Sequence, residues 1–135
     1  MKIFDGTMRL LERTLDMRSA RHQVIASNVA NEETPHFRAK DMEFQDALAA
    51  AHNNTPGVTL VATHARHVGV GGDAVGRVTA KVSEMPAPDV PLDANTVNLE
   101  FEMAKLSDNA MHYNTAASVV AKKFQSLITA IREGR

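Results

Sequence analysis

Six histidines are the first residues to weigh for chemistry, because neutral imidazole binds metals and carries protons near neutral pH. His64 and His67 stand three apart, with His52 upstream, but neither an HExxH pairing nor a carboxylate-rich helix accompanies them. That scatter over a Gly-rich stretch does not make a metal centre. Ser27, Ser83, Ser107 and Ser118 lack the strand-turn-helix context of a GxSxG nucleophile. Glu100 and Glu102 are two apart, which sets them on different sides of a helix rather than as a paired acid and base. Gly69, Gly71, Gly72 and Gly76 precede no Lys-Ser or Lys-Thr, so turn chemistry explains them better than phosphate binding. Cysteine is absent, which removes disulfides, thiolate ligands and thiol nucleophiles together. The residues present no catalytic constellation, and the expectation is a non-enzyme without metal or cofactor.

Charge excludes a further class. Fifteen Lys and Arg against sixteen Asp and Glu leave a net charge of -1, whereas a nucleic-acid footprint needs a basic surplus on one face. Asp5, Arg9, Glu12 and Arg13 interrupt any apolar leader in the first fifteen residues, and the expectation is no cleaved signal peptide. The longest uncharged run, 47–65, contains His52, Asn53, Asn54, Pro56 and Gly57, which a membrane-spanning helix would not tolerate together.

Two long elements must position whatever this chain does. Phe4, Met8, Leu11, Leu15, Arg18, His22, Ile25 and Val29 alternate steps of four and three, the spacing of a coiled-coil seam. Ile3, Leu10, Met17 and Val24 add a flanking row at strict sevens, so the apolar face is wider than a two-row seam. Within the seam, Arg18 and His22 are expected to be polar register-setting positions. This helix is expected to end near Asn31, since Thr34 precedes Pro35 and pre-proline sterics disfavour the α region. Near the other terminus, Leu99, Met103, Leu106, Ala110, Tyr113, Ala117, Val120, Phe124, Leu127 and Ile131 keep the same rhythm unbroken. Asn98 can cap its start, Glu100 and Glu102 suit the positive end of its dipole, and Arg132 with Gly134 suits its finish.

Between them the composition weakens. Asp41 can cap a short helix over 41–51, carried by Phe44, Ala47, Leu48 and Ala51. Alternating runs (Val58, Leu60, Ala62; Val68, Val70; Val78, Ala80, Val82) separated by glycines read as a small β-hairpin, and Pro86, Pro88 and Pro91 as a stiff connector. The class expected is therefore mainly α. Residues 1–33 and 95–135 supply an elongated pair of long helices with coiled-coil-like packing, and 34–94 an irregular middle region. At about 1.5 Å per residue the helices reach about 40 and 50 Å, longer than a compact chain of this size is wide. Two helices alone cannot cover the wide N-terminal face, so further copies or partners are expected to complete the burial, with seams that order fully only against neighbours.

One segment is more specific than periodicity. Ala26-Ser27-Asn28-Val29-Ala30-Asn31 followed by Thr34-Pro35 resembles the signature near the N-terminus of bacterial flagellar rod and hook proteins. Asp93-Ala94-Asn95-Thr96-Val97-Asn98-Leu99-Glu100, continuing Glu102-Met103-Ala104-Lys105-Leu106, is similar to the corresponding stretch of the proximal rod members of that family. With Leu60, Thr63, His64, His67 and the Phe124 to Ile131 ending, the resemblance spans nearly the whole chain. It implies a structural subunit of the flagellar basal body, in the periplasmic proximal rod. Such a subunit is exported by the flagellar type III apparatus without cleavage and serves motility. The implied neighbours are other rod proteins, a FliE-type adaptor and export-gate proteins, in homo- and hetero-oligomeric assembly without nucleic acid or a membrane span.

Assembly contacts are expected at Leu11, Leu15, Ile25, Asn28, Val29, Asn31, Thr34, Pro35 and Phe37. On the C-terminal side they fall at Leu99, Met103, Leu106, Tyr113, Val120, Phe124, Leu127 and Ile131. The family usually carries Gly and then Tyr after the proline, where this chain has His36 and Phe37, and Ala94 replaces another usual Gly. A turn with positive φ would cost His36 about 1 kcal/mol relative to Gly, so a different turn is expected here. The rival reading of the same residues is a soluble coiled-coil adaptor or export chaperone that binds one partner and forms a small closed oligomer.

Overall fold

A computed structural model describes residues 6–52, 75, 78–86 and 94–133 of the chain. Along it run α1 (Gly6–Ala30), β1 (Lys40–Glu43), α2 (Gln45–His52), β2 (Lys81–Glu84) and α3 (Leu99–Glu133). The expectations for Ile3, Phe4, the runs from Val58 to Val70, His64, His67, the four glycines, Pro88, Pro91 and Gly134 lie outside the described residues. The mainly helical architecture expected from the heptads is the one found, with a small antiparallel strand pair in the middle.

Helix α1 forms because its apolar residues recur on one side, and it stops one residue before Asn31. Its last turn tightens: the Asn31 amide donates to the Asn28 carbonyl at 3.0 Å and the Glu32 amide to the Val29 carbonyl at 3.2 Å. The Asn31 side chain then donates to the Ser27 carbonyl at 2.7 Å, closing one of the carbonyls a helix end leaves open. Thr34 to Phe37 make a β-turn, with the Phe37 amide 3.3 Å from the Thr34 carbonyl and His36 at φ 62°. Pro35 before a residue of positive φ is the pattern of a type II turn. The turn that favours glycine is thus retained with histidine in it, which corrects the expectation of another turn. Ala94 likewise sits at φ 55°. Between them the buried Asn95 ties the two segments together, donating to the carbonyls of Asn31, Glu32 and Thr34 at 3.0, 2.6 and 2.8 Å.

The short helix expected over 41–51 begins only at Gln45, and Asp41 lies in a strand instead of at a cap. Lys40 to Glu43 pair antiparallel with Glu84 to Lys81, and the Asp41 carboxylate is engaged by Arg21, so neither is available to start a helix. The Phe44 carbonyl accepts the first helical bond, from the Leu48 amide at 2.9 Å. The strand pair therefore joins the segment after the corner to the segment before α3. At α3 the Asn98 side chain accepts from the Phe101 amide at 3.0 Å, as its capping chemistry predicts.

Helix α1 is the element on which the rest packs. It touches α3, β1 and α2. Ala39, Phe44, Leu48, Met17 and Val78 are buried on its strand side, where Arg13 also donates through its Nε to the Val78 carbonyl at 3.0 Å.

Candidate functional site

Helices α1 and α3 run antiparallel, because Asn28 meets Glu102 while Arg18, ten residues earlier in α1, meets Asn109, seven residues later in α3. The residues α3 buries are Glu102, Asn109 and Ala116, a row at strict sevens, each under 10 % exposed. None of the three belongs to the apolar heptad row. The seam between the two long helices is consequently fastened by polar chemistry.

At one end Asn28 makes a three-way tie. Its Nδ2 donates to the Lys40 carbonyl at 2.7 Å and to Glu102 Oε2 at 2.8 Å, while its Oδ1 accepts from the Lys40 amide at 3.0 Å. Glu102 Oε1 accepts from Lys105 Nζ at 2.8 Å, and Lys105 Nζ also lies 3.5 Å from Asp41 and 4.6 Å from the centre of the Phe101 ring. Asp41 accepts from Arg21 through both oxygens at 2.9 Å. Two carboxylates thus face two cations across α1, β1 and α3. Burial pushes the Asp41 carboxyl upward, but Arg21, the Met42 amide and Lys105 outweigh it and hold it below its ordinary value. The hydrogen bond from Arg21 is in turn the main reason that guanidinium is raised.

About two turns further along α3 from Glu102, Asn109 donates to the Arg18 carbonyl at 2.8 Å and its Oδ1 lies 3.4 Å from Arg18 Nη1. The Arg18 guanidinium sits 5.3 Å from the centre of the Phe44 ring. Burial lowers its pKa, Arg21 lowers it further, and Asp108 opposes both. Its Nε has no hydrogen-bond partner among the described residues.

Consecutive helical residues are about 100° apart, so the row Met103, Ala110, Ala117, Phe124 and Ile131 lies a quarter turn or more from the buried row. Met103, Phe124 and Ile131 are 48, 43 and 69 % exposed. The second apolar row stands between the two: Leu106, Val120 and Leu127 are half-buried, Leu99 and Tyr113 exposed. On α1, Ile25 and Asn28 are buried, Leu11, Leu15 and Val29 half-buried, and His22 exposed, while Asn31 just past its end is half-buried. Phe37 is half-buried at the corner, where Thr34 and Pro35 are exposed. The tertiary structure brings the α1 seam against α3 but sets the α3 seam to one side of it.

Sequence reasoning missed Glu102 and Asn109 as residues between the helices, Arg21 and Lys105 as partners of Asp41, and Asn95 as the tie on the corner after α1. The signal was present as Glu102, Asn109 and Ala116 spaced by sevens beside the apolar rows, the polar counterpart of a seam. Among the described residues no group of three His, Asp or Glu is placed to hold a metal, and no helix is long and apolar enough to cross a membrane.

An antiparallel pair of long helices, latched internally by polar residues and open along an apolar row, defines a helical structural protein. No family model matches the chain. It is 35 % identical to the flagellar basal body rod protein FlgB of Cereibacter sphaeroides over 89 % of both chains. The proteins of the same name from Yersinia enterocolitica and Escherichia coli are 29 and 28 % identical, each over 96 % of both chains. The chain belongs to the FlgB family of flagellar basal body rod proteins, structural components of the bacterial flagellum.

Proposed function

We propose that this protein is a non-enzymatic subunit of the proximal rod, joined to other rod subunits through the apolar row that α1 leaves uncovered on α3. The observation that carries the reading is the rotation of the internal seam. Because α1 packs on Glu102, Asn109 and Ala116, the side chains of Met103, Phe124 and Ile131 stay open to a second helix. The corner at Thr34 to Phe37, held by Asn95, would fix how the middle region is presented to lateral neighbours. On this reading the helices form one rod-core unit from residues 1–33 and 95–135. The type III apparatus delivers the chain without cleavage, and a FliE-type adaptor and export-gate proteins are its neighbours in the periplasmic basal body. Motility depends on it because torque passes through the interlocked helices.

The test is Met103→Asp with Phe124→Asp in cells that lack the native copy. Both sites are exposed, so the purified variant keeps its fold, to within about 0.5 kcal/mol. Secretion should persist while rods and swimming are lost. Normal swimming by this double variant would overturn the reading, and a small closed oligomer at micromolar concentration would favour an adaptor or export chaperone instead.

A further inference from the structure

On the open side of the helix pair, a groove of about 320 Å³ lies between α1 and α3, lined by Arg18, Ser19, His22 and Gln23 from one helix and Asn109, Ala110, Tyr113 and Asn114 from the other. Its composition is one-sided: a guanidinium, an imidazole, amides and hydroxyls, with no carboxylate among the lining residues. Arg18 is 7 % exposed and forms no ion pair among the described residues, its Nε lacking any hydrogen-bond partner there. The acid that acts on it, Asp108, lies outside the lining and is 3.5 Å from His112. Ser19, His22, Tyr113 and Asn114 rim the groove as exposed residues whose side chains are unengaged among the described residues. A buried cation without a counter-charge is costly, and an incoming carboxylate would relieve that cost.

The groove is also continuous with apolar residues. Leu15 on α1 and Leu106 and Ala117 on α3 flank it along the helices, all half-buried. A free anion would leave that surface uncovered, whereas a helix lying along the groove would cover it and bring its own polar group to the centre. We propose that the groove receives an acidic side chain, Asp or Glu, carried on an otherwise apolar helix face of a neighbouring subunit. The carboxylate meets His22, Tyr113 and Asn114 with Arg18 beneath, and so fixes the register of the docked helix as a single polar position does in a coiled coil. This rests on the reading of the chain as a rod subunit.

Two charge-reversal pairs on opposite walls test it: Asn114→Asp against Asn114→Lys, and Ser19→Asp against Ser19→Lys. The readout is the amount of each variant in purified basal bodies, with the helicity and melting of each isolated variant measured alongside. A carboxylate placed in the groove repels the incoming one and occupies Arg18 itself, so each Asp variant should incorporate about tenfold less than the Lys variant at the same position. Equal behaviour of Asp and Lys, whether both incorporate or both fail, overturns the proposal. If one pair does not fold, the other wall decides. Should Met103→Asp with Phe124→Asp still block rod formation in that case, the rod reading survives and only the acidic anchor falls.

Discussion

Asp41 shows how a single side chain can be misjudged from its neighbours in sequence. It precedes an apolar helical pattern and has the chemistry of a cap, yet its carboxylate is worth more opposite Arg21, where it accepts two bonds at 2.9 Å in a partly buried site. Asp41→Asn should cost about 2 kcal/mol in urea unfolding at neutral pH, since it removes a charge-assisted pair and leaves Arg21 half satisfied. The pH dependence follows in sign. Because the folded carboxyl titrates below its ordinary value, its contribution is complete above about pH 4 and disappears as the pH falls through the lower folded value. The parent should therefore lose stability in that acid window, and the Asn variant should lose less. His36 and Ala94 make the opposite case, since both occupy the left-handed region that glycine adopts freely. Ala94→Gly and His36→Gly should each stabilise by about 1 kcal/mol, visible as raised melting temperatures. A lowered melting temperature for Ala94→Gly would mean that the strain is not what limits this loop.

At the level of elements, the joint between α1, β1 and α3 depends on one amide. Asn28→Ala would strand the Lys40 amide and carbonyl and one Glu102 oxygen in a buried place, for a loss of about 3 kcal/mol by chemical denaturation. A cost under 1 kcal/mol would show that water replaces those bonds. The resemblance points to Asn28, whose short amide suits open backbone groups at the helix end. Asn31 does serve the helix end, on the Ser27 carbonyl, but Asn28 reaches across to another strand and another helix. Local spacing could identify the amide, but not a partner seventy-four residues away.

For the whole molecule, the offset between the two seams sets where the structure is self-supporting. Glu102 and Asn109 of α3 are tied to α1 by buried bonds and Ala116 is buried, while most residues after 120 are exposed. Amide exchange in the isolated chain should therefore be slowest at 102–116 and fast beyond Phe124, and the protection should extend along the helix once the subunit is in a rod. Uniform protection of α3 in the isolated chain would indicate a cover that the apolar row does not need.

Helix content, the cap at Asn98, the end of α1 and the presence of an apolar face on each long helix followed from the sequence alone. Each depends on spacing and on side chains acting within a few residues of their own backbone. Which rows of α3 meet α1 was not decided at that range. Heptads say that a face is apolar, but the choice of neighbour belongs to groups far apart in the chain, here Asn28 with Glu102, Arg18 with Asn109 and Arg21 with Asp41. Only folding brings those charges and amides within hydrogen-bond reach, and by satisfying them it leaves Met103, Phe124 and Ile131 turned outward.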